Sequence, residues 1–238
     1  MSQIATSLPA SAEDHPCPMI GEAAKLAALP DSMISSPPLP LGQAWLKEPS
    51  GNFLPGAISV AWTPDFLYVF ATLTDADIFN PVTEFNQPAY LTGDIFEILV
   101  RAEKSDAYFE FHITPFGQVL QLKYPQSHSL ADFAASASNQ SVADAFRFPP
   151  RVLEAETEIS PGQKNWKVLA KVPAQILSIT GRFSPGDRLK VSFCRYDYTR
   201  SRPEPELSST SDHPVRSFHR LEEWRTMVLV DSDAINSP

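Results

Sequence analysis

From Trp45 onward the chain alternates apolar and polar residues with a period of two, in short runs separated by Gly, Pro, Asp and Asn. That period sends successive side chains to opposite faces of an extended backbone, so each run reads as a strand with one buried face. The expected strands cover 43–46, 57–62, 67–73, 95–100, 108–113, 119–124, 151–159, 166–172, 189–198 and 226–230. Pro64-Asp65 and Pro115-Phe116-Gly117 carry the chemistry of tight turns and join neighbouring runs as hairpins. The pattern predicts an all-β fold, an antiparallel jelly-roll-like sandwich of about ten strands over 43–231. A chain of 238 residues, 43% hydrophobic, has enough apolar material for one such domain.

Upstream, residues 1–42 hold prolines at 9, 16, 18, 30, 37, 38 and 40, which remove donors and fix φ. They read as a poorly ordered leader with a short helix over 21–29, and 232–238 as a tail. Between strands, 126–145 accommodates a short helix near 130–137, and 199–217 is long, polar and without strand periodicity. Loops of that kind are commonly either disordered or part of a binding rim.

The formal charge of -9 gives no basic footprint for nucleic acid and disfavours an anionic membrane surface. No run is apolar enough to span a bilayer, and residues 1–12 lack the features of a secretory signal, so the chain as written reads as cytoplasmic. An upstream start would make it extracellular or periplasmic. Cys17 and Cys194 are read as free thiols. No motif with zinc-ligand spacing is present.

Several residues could carry chemistry. Glu97 is a carboxylate in a strand apolar on both faces, so it either meets an arginine in an ion pair or accepts a ligand. On the next strand Tyr108, Glu110 and His112 share a polar face opposite Phe109, Phe111 and Ile113, either a solvated face or a binding surface. His112 reads as a hydrogen-bonding residue. The side of 189–198 that bears Leu189, Val191 and Phe193 continues into Arg195 and Asp197, which fits a site rim or a salt bridge closing the sandwich. Beyond the long loop, Phe218-His219-Arg220 sets an aromatic beside donors, and Trp224 reads as core.

The order of these pieces resembles the family 9 carbohydrate-binding modules and their DOMON-like relatives. The likeness rests on Val60-Ala61-Trp62-Thr63-Pro64-Asp65-Phe66-Leu67-Tyr68-Val69, then Asp75 and Asp77, Gly93-Asp94-Ile95-Phe96-Glu97-Ile98, the aromatic strand from Tyr108, and a closing segment from Phe218 to Val230. It implies a non-catalytic sandwich that grips a saccharide between aromatic rings. Glu97, Asp197 and Phe218 stand at family binding positions, with Arg195 as a further hydroxyl partner and Tyr90 as the stand-in for a second stacking ring. Glu110 replaces a family Arg and Cys194 a Gln. Calcium is common in the family, with Asp75 and Asp77 as weak candidates. Three alternatives stay open: glycoside cleavage using Glu97 with Glu110 or Asp197, a haem site using His112 and Met227, and a protein-interaction module.

Overall fold

A computed structural model of the protein describes residues 14–21, 24–29, 37–136, 138–160, 162 and 164–231. Among these, twelve strands form two sheets. The seven-stranded sheet runs β1 (His15–Pro18), β12 (Arg225–Val230), β10 (Arg188–Asp197), β5 (Ile95–Ala102), β6 (Tyr108–Ile113) and β7 (Val119–Tyr124), with β11 (Glu206–Ser209) also paired to β10. The five-stranded sheet runs β2 (Leu39–Pro40), β3 (Gly56–Trp62), β4 (Phe66–Thr74), β9 (Asn165–Pro173) and β8 (Glu154–Ser160). All named pairs are antiparallel except β1 with β12.

The sheets pack face to face through the apolar half of each alternation. Val60, Trp62, Val69 and Val168 of one sheet meet Phe96, Ile98, Phe111, Phe193 and Met227 of the other, all essentially sealed from water. Burying side chains of this size contributes about 1.5–3 kcal/mol each before the entropy of ordering them is counted. Both expected turns form: Thr63 and Phe66 exchange backbone hydrogen bonds across Pro64-Asp65, and Thr114 N–H donates to Gln118 O at 3.0 Å around Gly117, whose φ is 82°. Cys17 and Cys194 are buried free thiols.

Four expectations need correction. Residues 43–46 form a turn, with Leu46 N–H on Gln43 O at 2.9 Å. The leader is built into the fold where it is described: β1 lies in the seven-stranded sheet, and Ile20, Ala24, Leu26 and Leu29 cover the outer face of the other sheet against Ala61, Tyr68 and Leu169. The described part of 21–29 holds a turn, Ala28 N–H to Lys25 O at 3.0 Å, and no helix. Within 199–217, β11 pairs Leu207 with Tyr196 and Ser209 with Cys194. The helix expected near 130–137 is α1 (Ser129–Ala135), followed by α2 (Val142–Phe146), whose cap Ser141 accepts from Asp144 N–H; α3 is Ala174–Leu177. Residues 1–13 and the tail 232–238 lie outside the described residues. Among the described residues no helix is long and apolar enough to cross a membrane.

Candidate functional site

The polar halves of β5, β6, β7 and β10 meet on the outer face of the seven-stranded sheet. Register decides which side chains gather there: Glu97 sits opposite His112 and Cys194, Leu99 opposite Glu110, and Tyr108 opposite Tyr124. Over this face lie Tyr90 from the short 3-10 helix Ala89–Leu91, Phe146 from α2, and Phe218, His219 and Trp224 from the segment before β12. Trp224 is buried as expected, its indole N–H donating to Phe218 O at 2.8 Å.

At the centre is a buried polar cluster. Glu110 bonds His112 Nε2 through one oxygen; the other accepts from Tyr124 OH at 2.7 Å and lies 3.5 Å from His219 Nε2. His219 Nδ1 in turn meets Tyr108 OH at 3.0 Å. Burial pushes Glu110 up, but His112 and His219 and the hydrogen bonds from His112 and Tyr124 outweigh it and hold the carboxyl below its usual range. Burial, then the neighbouring Glu110, drives Glu97 well above it. The arginine partner considered for Glu97 is absent among the described residues, and its Oε2 has no hydrogen bond.

A second cluster lies on the inner side of the same sheet, at its end. Arg195 Nη1 donates to Thr74 O at 2.5 Å, and Nη2 reaches Asp75 at 3.0 Å and Asp197 at 3.2 Å. Asp94 accepts from Phe79 N–H at 2.6 Å and Tyr198 N–H at 2.8 Å. Burial and then the charge of Asp75 lift Asp94 to about 8. Burial lifts Asp197 to about 6 against the pull of Arg195.

The structure therefore does not bring the expected site residues together. Since Cys194 pairs with Glu97 and Arg195 with Phe96, Arg195 and Asp197 point between the sheets and Glu97 and Glu110 point out. Arg195 and Asp197 form the salt bridge that closes the sandwich. Phe218 is 4% exposed, its ring set against Trp45, Tyr196 and His213, so neither of its faces is free. Tyr90 alone of the six is half-exposed. The weak calcium pair does not fit a cation that takes six to eight oxygens: Asp75 is held by Arg195 and by Asp77 N–H at 2.8 Å, and Asp77 by Arg200. Met227 lies in the inter-sheet core and His112 on the outer face, so the two cannot bind one haem iron.

Sequence reasoning missed Tyr196 and Trp45. With Tyr90 and the buried Phe218 they make a row of rings across the outer face, with centroids 6.4 Å from Tyr90 to Tyr196, 5.8 Å on to Phe218 and 6.2 Å on to Trp45. Tyr90, Tyr196 and Trp45 are half-buried. The signal for Tyr196 was its place in the alternation, two residues beyond Cys194.

The fold is a two-sheet sandwich of the carbohydrate-binding-module type. The chain is similar to a protein from Bacteroides uniformis ATCC 8492 whose carbohydrate-binding description is itself provisional, at 14% identity and TM-score 0.61 over 81% of this chain and 85% of that one. It is also similar to a family 9 module from Caldicellulosiruptor kristjanssonii solved with cellotriose, at 12% identity and TM-score 0.59 over 94% and 98% of the two chains. The glucose complex from that organism matches at 10% identity and TM-score 0.59, over 91% of this chain and 95% of that one. At such identities the likeness is one of fold. No family model and no curated protein matches the chain.

Proposed function

We propose that the protein binds a saccharide, without catalysing its cleavage, on the outer face of the seven-stranded sheet. The observation that carries this reading is the aromatic row, whose half-buried rings Tyr90, Tyr196 and Trp45 lie across that face. Pyranose C–H faces pack on such rings, and a phenol adds a polar tip for hydroxyls. Support from outside the chain comes from fold neighbours solved with cellotriose and with glucose. In this reading Phe218 buttresses the row from below, Glu97 and Glu110 lie beneath it, and Arg195 and Asp197 serve the architecture. Catalysis is disfavoured because Glu97 is 1% and Glu110 4% exposed, with Asp197 on the other side of the sheet.

Calorimetric titration with cellotriose and glucose tests the reading. Binding should weaken by roughly tenfold or more in Tyr90→Ala and in Tyr196→Ala, the cost of losing about one stacking contact. No heat at millimolar saccharide, or unchanged affinity in both variants, would overturn it.

A further inference from the structure

The cluster beneath the aromatic row has the makings of a second kind of site. Glu97 and His112 are cross-strand partners on β5 and β6, and Glu110 lies two residues before His112 on the same face. One donor atom from each lies within 4.8 Å of the others, and the three residues are 1%, 2% and 4% exposed for Glu97, His112 and Glu110. Among the described residues neither Glu97 Oε2 nor His112 Nδ1, both buried, has a hydrogen-bond partner. Leaving such groups unsatisfied in the interior is costly, most of all for a charged group. We propose that Glu97, Glu110 and His112 bind a divalent transition-metal ion of the zinc class.

The donor set argues for the class of ion. Two carboxylate oxygens with one imidazole nitrogen suit Zn²⁺ and its neighbours, whereas Ca²⁺ and Mg²⁺ favour oxygen throughout. The contrast with the inner cluster is informative. There a guanidinium already stands among the carboxylates, whereas the contacts of Glu110 are with the imidazoles of His112 and His219, and among the described residues no basic side chain pairs with Glu97. An imidazole can release its proton and become a ligand; a guanidinium cannot.

The surroundings fit a held metal. Tyr124 OH on Glu110 is a bond of the kind that orients a ligand from outside the coordination sphere, and His219, itself held by Tyr108 OH, lies 3.5 Å from the same Glu110 oxygen. The Tyr90 ring stands edge-on to His112 with centroids 5.2 Å apart, closing the cluster from the side of the aromatic row. Three protein ligands leave a further position for water. This inference is independent of saccharide binding.

The test uses the full chain, loaded with Zn²⁺, freed of loose ion by dialysis and measured by elemental analysis. About one zinc per chain is expected for the wild type, and below about a tenth of that for Glu97→Gln and for His112→Gln. The control Asp94→Asn, in the inner cluster, should retain the metal. Should the outer-face variants fail to fold, Co²⁺ loaded into the wild type decides: intense visible bands of a four- or five-coordinate ion support the site, and a weak octahedral spectrum overturns it. Wild type without bound zinc, full retention by Glu97→Gln, or loss confined to Asp94→Asn would each overturn the proposal.

Discussion

Tyr108 and Tyr124 lie face to face across β6 and β7, ring centroids 4.4 Å apart and planes 9° from parallel. Their hydroxyls do different work: Tyr124 OH donates to the Glu110 carboxylate at 2.7 Å, while Tyr108 OH meets His219 at 3.0 Å. Tyr124→Phe keeps the stack and removes a donor to a charged acceptor, an expected loss of about 1.5–3 kcal/mol. Tyr108→Phe removes a bond to an imidazole and should cost about 1 kcal/mol. Urea unfolding of the two variants checks the order; equal losses would show that the Glu110 bond carries no extra weight.

Arg195 is the guanidinium paired with Asp75 and Asp197, and it is fully buried. Arg195→Met leaves those carboxylates without their counter-charge and should destabilise the protein by about 3–5 kcal/mol. Adding Asp197→Asn should return part of that loss, since one buried charge then disappears. Denaturant midpoints of the single and double variants measure the coupling, and simple additivity would refute it.

The pH dependence follows from the same cluster. Asp94 is raised to about 8 and Asp197 to about 6 from the usual 3.8, so the folded protein holds protons that the unfolded chain has released. Their contribution is complete below the ordinary aspartate value and is lost as pH rises through about 6 and then about 8. Melting temperature should therefore carry a downward component across that window. Asp94→Asn should flatten the upper part of the slope whatever it does to absolute stability, and an unchanged slope in a thermal melt series would contradict this.

Gly93 precedes Asp94 where the backbone passes close to another segment. A Cβ there would meet Phe79 O at 2.6 Å and Asn80 Cα at 2.7 Å, both backbone atoms. Gly93→Ala should cost about 1–3 kcal/mol through forced displacement, and the displaced Phe79 N–H is the one bonded to Asp94. Gly51→Ala, with nothing within 4 Å of the new carbon, is the matched control. Equal stability of the two variants, read by thermal unfolding, would discount the clash.

The sandwich was legible because the period-two alternation is a direct record of which side chains face the core, and most strands fall where that pattern placed them. The misses have physical causes. Pro16 and Pro18 argue against a strand, yet β1 is at a sheet edge, where a missing donor costs least. Trp45 and Leu46 looked like strand residues, but their segment turns and Trp45 packs on Phe218. In β11, Leu207 is the one apolar residue of Glu-Leu-Ser-Ser, too little for a periodic signal. At the candidate site, Glu97 stood out as an odd carboxylate, and the parity of Phe193, Arg195 and Asp197 was already visible. What the chain could not display was the register of β10 against β5, and that register puts Glu97 and Asp197 on opposite sides of the sheet.

Pairing β1 with β12 has a bearing on how the molecule is made. His15 to Pro18 find their partners in Met227 to Val230, and Trp62 ties to the same finish through its indole N–H on Val230 O at 3.0 Å. During synthesis β1 cannot take this pairing until β12 has left the ribosome. That edge of the seven-stranded sheet joins residues 15–18 to residues 227–230 and can close only when both are present.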